Sequence, residues 1–275
     1  MGKIRVGMFD YLNVKPVYHN IEKELESYAE IVTGTPSKLN NLLSSGELDI
    51  SPVSSFAYAL NFKDWMIVPD LSISCDGDVL SVLFCSNFKF EEMEKKRVML
   101  TNESASAASL LKLLFYRSKI YPLFFKGNVS EGKVPESDGM LVIGDKALLG
   151  GWNDRFKYVY DLGAMWKSLY DLPFVFGLWA VRKEVYKYKR EGLDKTISLL
   201  INNKEKNLKN IRAFLNDISS DATLDFNLLE TYFSTVKYDF GSDKYKGLES
   251  FYDELLVFRM IPEKVILEFL EEMKI

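Results

Sequence analysis

Apolar and polar positions repeat with two different periods through the first two thirds of the chain. Ile4-Arg5-Val6-Gly7-Met8-Phe9 is apolar and β-prone, so a strand is predicted over 3–9, and helical spacing follows over 14–26. A second strand is predicted over 29–33. Gly34-Thr35-Pro36 starts a helix that runs to Leu43, and Ser45-Gly46-Glu47 stops it. The run 48–53 predicts a third strand, with a short helix through Leu60 after it. Repeated strand–helix units imply a mostly parallel sheet with helical cover.

Two later apolar runs, 79–86 and 174–181, are long enough to cross between lobes. Between them lies a second α/β unit: strand 97–100, helix 104–117, strands 121–125 and 140–143, helix 145–149, strand 157–160 and helix 162–169. After Arg182 the spacing is helical to Ile275. Ile197, Leu200 and Ile201, then Leu208, Ile211, Phe214 and Leu215, form apolar stripes that must pack on something. The division predicted is residues 1–84 plus 182–275 for lobe 1 and 85–181 for lobe 2, with a hinged cleft between them. The alternative is one continuous α/β domain with a helical appendage.

Of the 275 residues 47% are hydrophobic, which supports a full core without disulfides. A net charge of −4 with both signs interspersed argues against nucleic acid as a partner. Cys75 and Cys85 form no CxxC pair and His19 is the only histidine, so no metal site is expected. No apolar run reaches the roughly 20 residues that span a bilayer. The chain enters a strand directly, without a signal-like segment. The expectation is a cytoplasmic protein, monomer or homodimer, with no membrane partner.

Candidate chemistry gathers at strand-to-helix junctions, where open α/β sheets bind ligands. Tyr11-Leu12-Asn13 follows the first strand, and Asn13 is either a helix cap or a site residue. Ser54 and Ser55 follow the third strand. Ser104, Ala105 and Ser106 open the second lobe's first helix, and Gly144-Asp145 follows the strand 140–143. Such junctions present unpaired amides that attract carboxylates, and each serine could equally be a plain N-cap. Ser81 lies in a crossing run, where a buried hydroxyl needs a partner. His19 reads as a helix-surface residue. Asp10 reads as a turn residue.

Four ordered motifs carry a resemblance. They are Tyr11-Leu12-Asn13-x-x-Pro16; Gly77-x-Val79-x-Ser81-Val82; Leu141-Val142-Ile143-Gly144-Asp145-Lys146-Ala147-Leu148; and Tyr160-Asp161-Leu162-Gly163-x-x-Trp166 with Leu172-Pro173-Phe174-Val175-Phe176-x-x-Trp179. Over about residues 3–182 the chain resembles the MqnA family of menaquinone biosynthesis, the chorismate dehydratases of the futalosine pathway. The resemblance implies a two-lobed type II periplasmic-binding-protein-like fold, here with a C-terminal helical segment. It implies a hydro-lyase that converts chorismate to 3-[(1-carboxyvinyl)oxy]benzoate with no cofactor, metal or organic. It places the family's functional residues on Asn13 and Ser81. Substrate contacts are expected at Tyr11, Ser54, Ser55, Ser104, Ala105, Ser106, Gly144, Asp145 and Phe174, although Phe174 and its aromatic neighbours equally suit a core.

Two segments depart from the family pattern. Where the family tends to read Ser-Arg-Thr-Ser, this chain has Ser104-Ala105-Ser106-Ala107. Where it has Thr-Gly, this chain has Tyr170-Asp171. Both changes are expected on the ligand-facing side. The competing readings are a small-carboxylate binding protein or altered-specificity lyase, and the sister enzyme that makes 1,4-dihydroxy-6-naphthoate.

Overall fold

The computed structural model describes residues 2–127, 136–222 and 225–271; the rest, including 272–275 of the expected helical tail, lies outside it. The predicted opening is present as β1 (Ile4–Met8), β2 (Ala29–Thr33) and β3 (Ile50–Ser54), with β1 parallel to both others. The long helix expected over 14–26 is broken into a 3-10 turn at Leu12–Val14, α1 (Lys15–Tyr18) and α2 (Glu22–Leu25). Asn20, at φ 58°, turns the chain between α1 and α2. Val17, Ile21 and Leu25 stay buried across the break, so the apolar period runs through it unmarked. Helix α3 (Pro36–Ser45) begins at the Thr35 cap and ends at Gly46, whose φ of +85° closes the helix. Helix α4 (Ser55–Asn61) follows β3 directly.

A strand that the spacing does not predict, β4 (Trp65–Cys75), comes next. Pro69-Asp70 interrupts its apolar run, and Asp70 sits at φ 56° beside a register shift. The second sheet holds β5 (Val82–Ser86), β6 (Arg97–Thr101), β7 (Leu123–Gly127), β8 (Gly139–Ile143) and β9 (Tyr158–Asp161). Its helices are α5 (Ala105–Arg117), α6 (Gly144–Leu149) and α7 (Leu162–Tyr170). The chain then returns as β10 (Phe174–Arg182) and, after four helices, adds the two-residue β11 (Val236–Lys237). Among the described residues the sheet orders are β11-β4-β10-β3-β1-β2 and β7-β6-β8-β5-β9.

Neither long run crosses between sheets as a strand. β10 lies wholly in the first sheet, antiparallel to β3 and β4, and β5 lies wholly in the second. Residues 174–181, expected in lobe 2, therefore belong to the first sheet, and the chain changes sheets in the connections 76–81 and 171–173. The continuous apolar character of β10 reflects strand neighbours on both edges and helices on its faces, not a passage between lobes.

The tail packs on the first sheet as α8 (Lys183–Tyr188), α9 (Arg190–Lys209), α10 (Ile211–Ala222), α11 (Phe226–Thr235) and α12 (Ser242–Val257). Asn203 of α9 donates to the carbonyls of Val17 and His19. Past Val257 the described chain is no longer helical, and Phe269 bridges to Ile67. His19 caps the end of α1 and pairs with Asp217 at 2.6 Å.

Candidate functional site

A cavity of about 840 Å³, its open mouth included, lies between the two sheets. The first sheet and its helices contribute Asn13, Asn40, Ser54 and Phe176. The second contributes Asn102, Glu103, Ser104 and Gly144, and Ser81 comes from the connection between them.

Asn13 sits in the 3-10 turn after β1. Tyr11 and Val14 occupy the cap positions of the adjoining helical turns without side-chain capping bonds, and Asn13 caps no helix. Its Oδ1 is buried and has no hydrogen-bond partner. An orphaned buried acceptor is destabilising, so its retention points to use. The Leu12 amide donates to Asp145 Oδ1 at 3.2 Å, which ties this turn to α6 of the other lobe.

Ser81 is held from three directions. Leu80 before it sits at φ 62°, and this bend ends any strand over 79–81. The amides of Val79 and Leu80 donate to Asp161, and so do those of Gly163 and Ala164 at the start of α7. Burial nonetheless raises the Asp161 carboxyl above its ordinary value. Ser81 Oγ donates to Tyr232 Oη at 3.2 Å, and its carbonyl accepts from Gly144 N–H at 2.7 Å.

Tyr11, Ser54, Ser104, Ala105 and Gly144 also line the cavity. The hydroxyls of Ser54 and Ser104 cap α4 and α5, so the cap and site readings hold together for both. Burial, then Glu103 and Asp145, push the Tyr11 phenol up to about 12. Four expected contacts lie elsewhere. Ser55 and Ser106 are fully buried behind the cavity wall, Oγ to Oγ at 2.8 Å, and Ser106 also accepts from Phe56 N–H. Asp145 is turned to Leu12. Phe174 is 1% exposed and packs against Trp166 and Phe251, while Phe176, two residues on, reaches the cavity.

Sequence reasoning missed Asn40, Asn102 and Glu103. Asn40 lies one turn beyond Pro36 and Ser37 on α3, beside buried Leu39 and Leu43, and its Oδ1 is a second buried, unpartnered acceptor. A polar stripe on the first turns of a helix after a strand was the available signal. Glu103 is paired with Lys146 at 2.8 Å. Among the described residues, no lysine, arginine or histidine lines the cavity. The Ser37 amide of α3, which follows Pro36 with no N–H of its own, and the first amides of α5 are the groups that can attract an anion there.

A profile of menaquinone biosynthesis proteins matches residues 4–255. The chain belongs to the menaquinone biosynthesis family. A protein of Thermus thermophilus named chorismate dehydratase is 32% identical over 194 residues, 65% of this chain and 70% of that protein. Another of that name from Campylobacter jejuni is 27% identical over 77% of this chain and 87% of its own length. Among solved structures, the alkanesulfonate-binding protein SsuA of Xanthomonas axonopodis pv. citri, bound to MOPS, superposes with a TM-score of 0.69 at 12% identity, covering 97% of this chain and 96% of that one. A protein of Archaeoglobus fulgidus gives 0.67 at 19% identity, covering 94% of this chain and 98% of that one. The fold is therefore the two-lobed periplasmic-binding-protein type. No helix among the described residues is long and apolar enough to cross a membrane.

The two departures from the menaquinone biosynthesis family's pattern have different meanings in space. At 104–107 the change reaches the cavity at Ala105, while Ser106 and Ala107 are buried. At 170–171 it does not. Asp171 ends α7 at φ 53°, a conformation glycine enters freely and aspartate tolerates, and its carboxylate pairs with Lys167. Tyr170 stacks on Trp166 with ring centroids 4.0 Å apart. Neither residue reaches the cavity.

Proposed function

We propose that this chain is a chorismate dehydratase that removes water from chorismate to give 3-[(1-carboxyvinyl)oxy]benzoate in menaquinone biosynthesis. Family membership and the two chorismate dehydratase relatives support the reaction class. The observation that carries the site reading is that Asn13 and Ser81 line one inter-lobe cavity, with the carboxamide oxygen of Asn13 buried and unsatisfied.

In the reaction the C–H bond at the ether-bearing ring carbon breaks and its electrons form the last ring double bond. The C–O bond to the neighbouring hydroxyl breaks, and proton and hydroxide leave as water. Aromatisation supplies the driving force, so the protein's task is orientation, exclusion of bulk water and polarisation of the leaving group. Among the described residues Glu103 is the one carboxylate in the lining, and it is engaged by Lys146. The proton acceptor in this reading is the substrate's own enolpyruvyl carboxylate. Asn13, donating from Nδ2 and accepting at Oδ1, and Ser81 hold that carboxylate and the leaving hydroxyl, and the Ser37 amide of α3 and the first amides of α5 receive the remaining negative charge.

The test is incubation with chorismate while its diene absorbance and the benzoate product are followed together. Loss of the diene matched by product supports the reading. No turnover, with tight binding of another carboxylic acid, would defeat it. A substrate analogue lacking the enolpyruvyl carboxylate should not eliminate water, and elimination at the normal rate would refute the proposed base.

A further inference from the structure

A second pocket lies on the far side of the first turn of α5, and its electrostatics are the reverse of the cavity's. Lys112 from α5, Lys126 from β7 and Arg259 from the turn after α12 converge on it, and among the described residues no aspartate or glutamate lines it. Among the described residues none of the three cations has an ion-pair partner. Lys112 lies over the Phe124 ring at 5.6 Å instead. Burial, and then repulsion from Lys126, lower the Lys112 ammonium below its ordinary value. Like charges gathered without a counter-charge are an arrangement that a bound anion relieves. Tyr116, Phe258 and Met260 add an apolar floor suited to a ring.

The pocket also touches the site. Asn102, Ser104 and Ala105 line both spaces, so the start of α5 forms a shared wall. The inner cavity lacks cations, and the proposed substrate is a dianion. The cations that could attract it stand next door.

We propose that this pocket binds small aromatic dicarboxylates and captures the dianionic substrate before it passes the start of α5 into the cavity. The capture role rests on the dehydratase reading; the anion site does not. Cations beside a cleft raise the association rate of an anionic substrate, and salt screens the effect.

Two measurements test this. The first is steady-state kinetics of the full chain with chorismate over a range of salt. Lys112→Gln/Lys126→Gln/Arg259→Gln should lower kcat/KM at low salt by about tenfold, flatten its salt dependence and leave kcat within about twofold. If the triple variant does not fold, Lys126→Gln at an exposed position reports the same direction. The second is mass-spectrometric footprinting of lysines with an amine-reactive reagent, with and without benzene-1,3-dicarboxylate. The dicarboxylate should slow labelling of Lys112 and Lys126 severalfold relative to exposed Lys3. Protection in a protein that does not turn over chorismate would support the anion site while removing the dehydratase reading. Protection with wild-type kcat/KM and salt slope in the variant would overturn the capture role. Absence of protection would overturn the site itself.

Discussion

The hydroxyl of Ser81 donates to the phenol oxygen of Tyr232 at 3.2 Å, with both residues buried. Tyr232 belongs to α11, so the helical tail orients a hydroxyl of the inter-lobe cavity. Ser81→Ala should lower kcat by about 100-fold or more, because it removes the polar contact itself. Tyr232→Phe should lower kcat by about tenfold, because Ser81 keeps its hydroxyl and loses one neutral bond worth about 1 kcal/mol. Turnover of both variants, with circular dichroism as a folding control, checks the order; equal losses would place Tyr232 in a different role.

Asn13 should separate activity from stability. Its buried acceptor is unsatisfied, so Asn13→Ala removes a desolvation penalty while it removes the proposed substrate contact. The expected outcome is about a 100-fold loss of turnover with a melting temperature equal to or above wild type. A variant that melts well below wild type would show that the side chain is structural.

The Ser55–Ser106 pair should behave in the opposite way. Ser106→Ala strips an acceptor from the Phe56 amide and a partner from Ser55 in a dry interface. A loss of about 1–3 kcal/mol in unfolding free energy is expected, with kcat reduced far less than in Ser81→Ala. Denaturant unfolding measured beside turnover distinguishes the two behaviours.

Glu103 tests the identity of the base. Glu103→Gln breaks the Lys146 pair but leaves a polar group of the same shape. If the substrate supplies its own base, kcat should stay within about tenfold of wild type. A loss of about 1,000-fold would make Glu103 the proton acceptor.

Asp145 gives a pH-dependent signature. Burial, opposed in part by the Leu12 amide, raises its carboxyl above 3.8. The folded protein therefore holds a proton that the unfolded chain has already released. The stability this supplies is fully present below the unfolded value and is lost as pH rises through the folded value. Asp145→Asn keeps an acceptor for Leu12 and cannot titrate. From about pH 4 to about pH 7 its melting temperature should fall less than that of wild type. Parallel curves would show that Asp145 adds nothing to the slope.

Much of the fold was legible because it follows local periods. The opening strands, helices α3 and α4, the tail helices up to Val257 and the caps at Thr35, Ser54 and Ser104 all write their spacing into neighbouring residues. What escaped depends on distant partners. β4 carries Pro69-Asp70 inside it, and only its pairing with β10 makes it one strand. β10 looked like a crossing segment because an apolar run does not state which strands flank it. In the site, junction residues were legible as a set, but their directions were not. Ser54 faces the cavity and the adjacent Ser55 the interior, and Phe174 and Phe176, two positions apart, also divide between core and cavity. Asn40 escaped because a polar residue within a helix is ordinary until the space in front of it is known.

The tail's hydroxyl contacts also bear on synthesis. Tyr232 reaches Ser81, and Tyr252 donates to the Ser55 carbonyl at 2.7 Å, so two late residues complete the walls around the cavity. Both sheets are almost fully encoded before residue 182, long before either tyrosine leaves the ribosome. A nascent chain therefore carries nearly all the strands of both sheets while the walls of its cleft are still unfinished, and the cleft is complete only when its last third has docked.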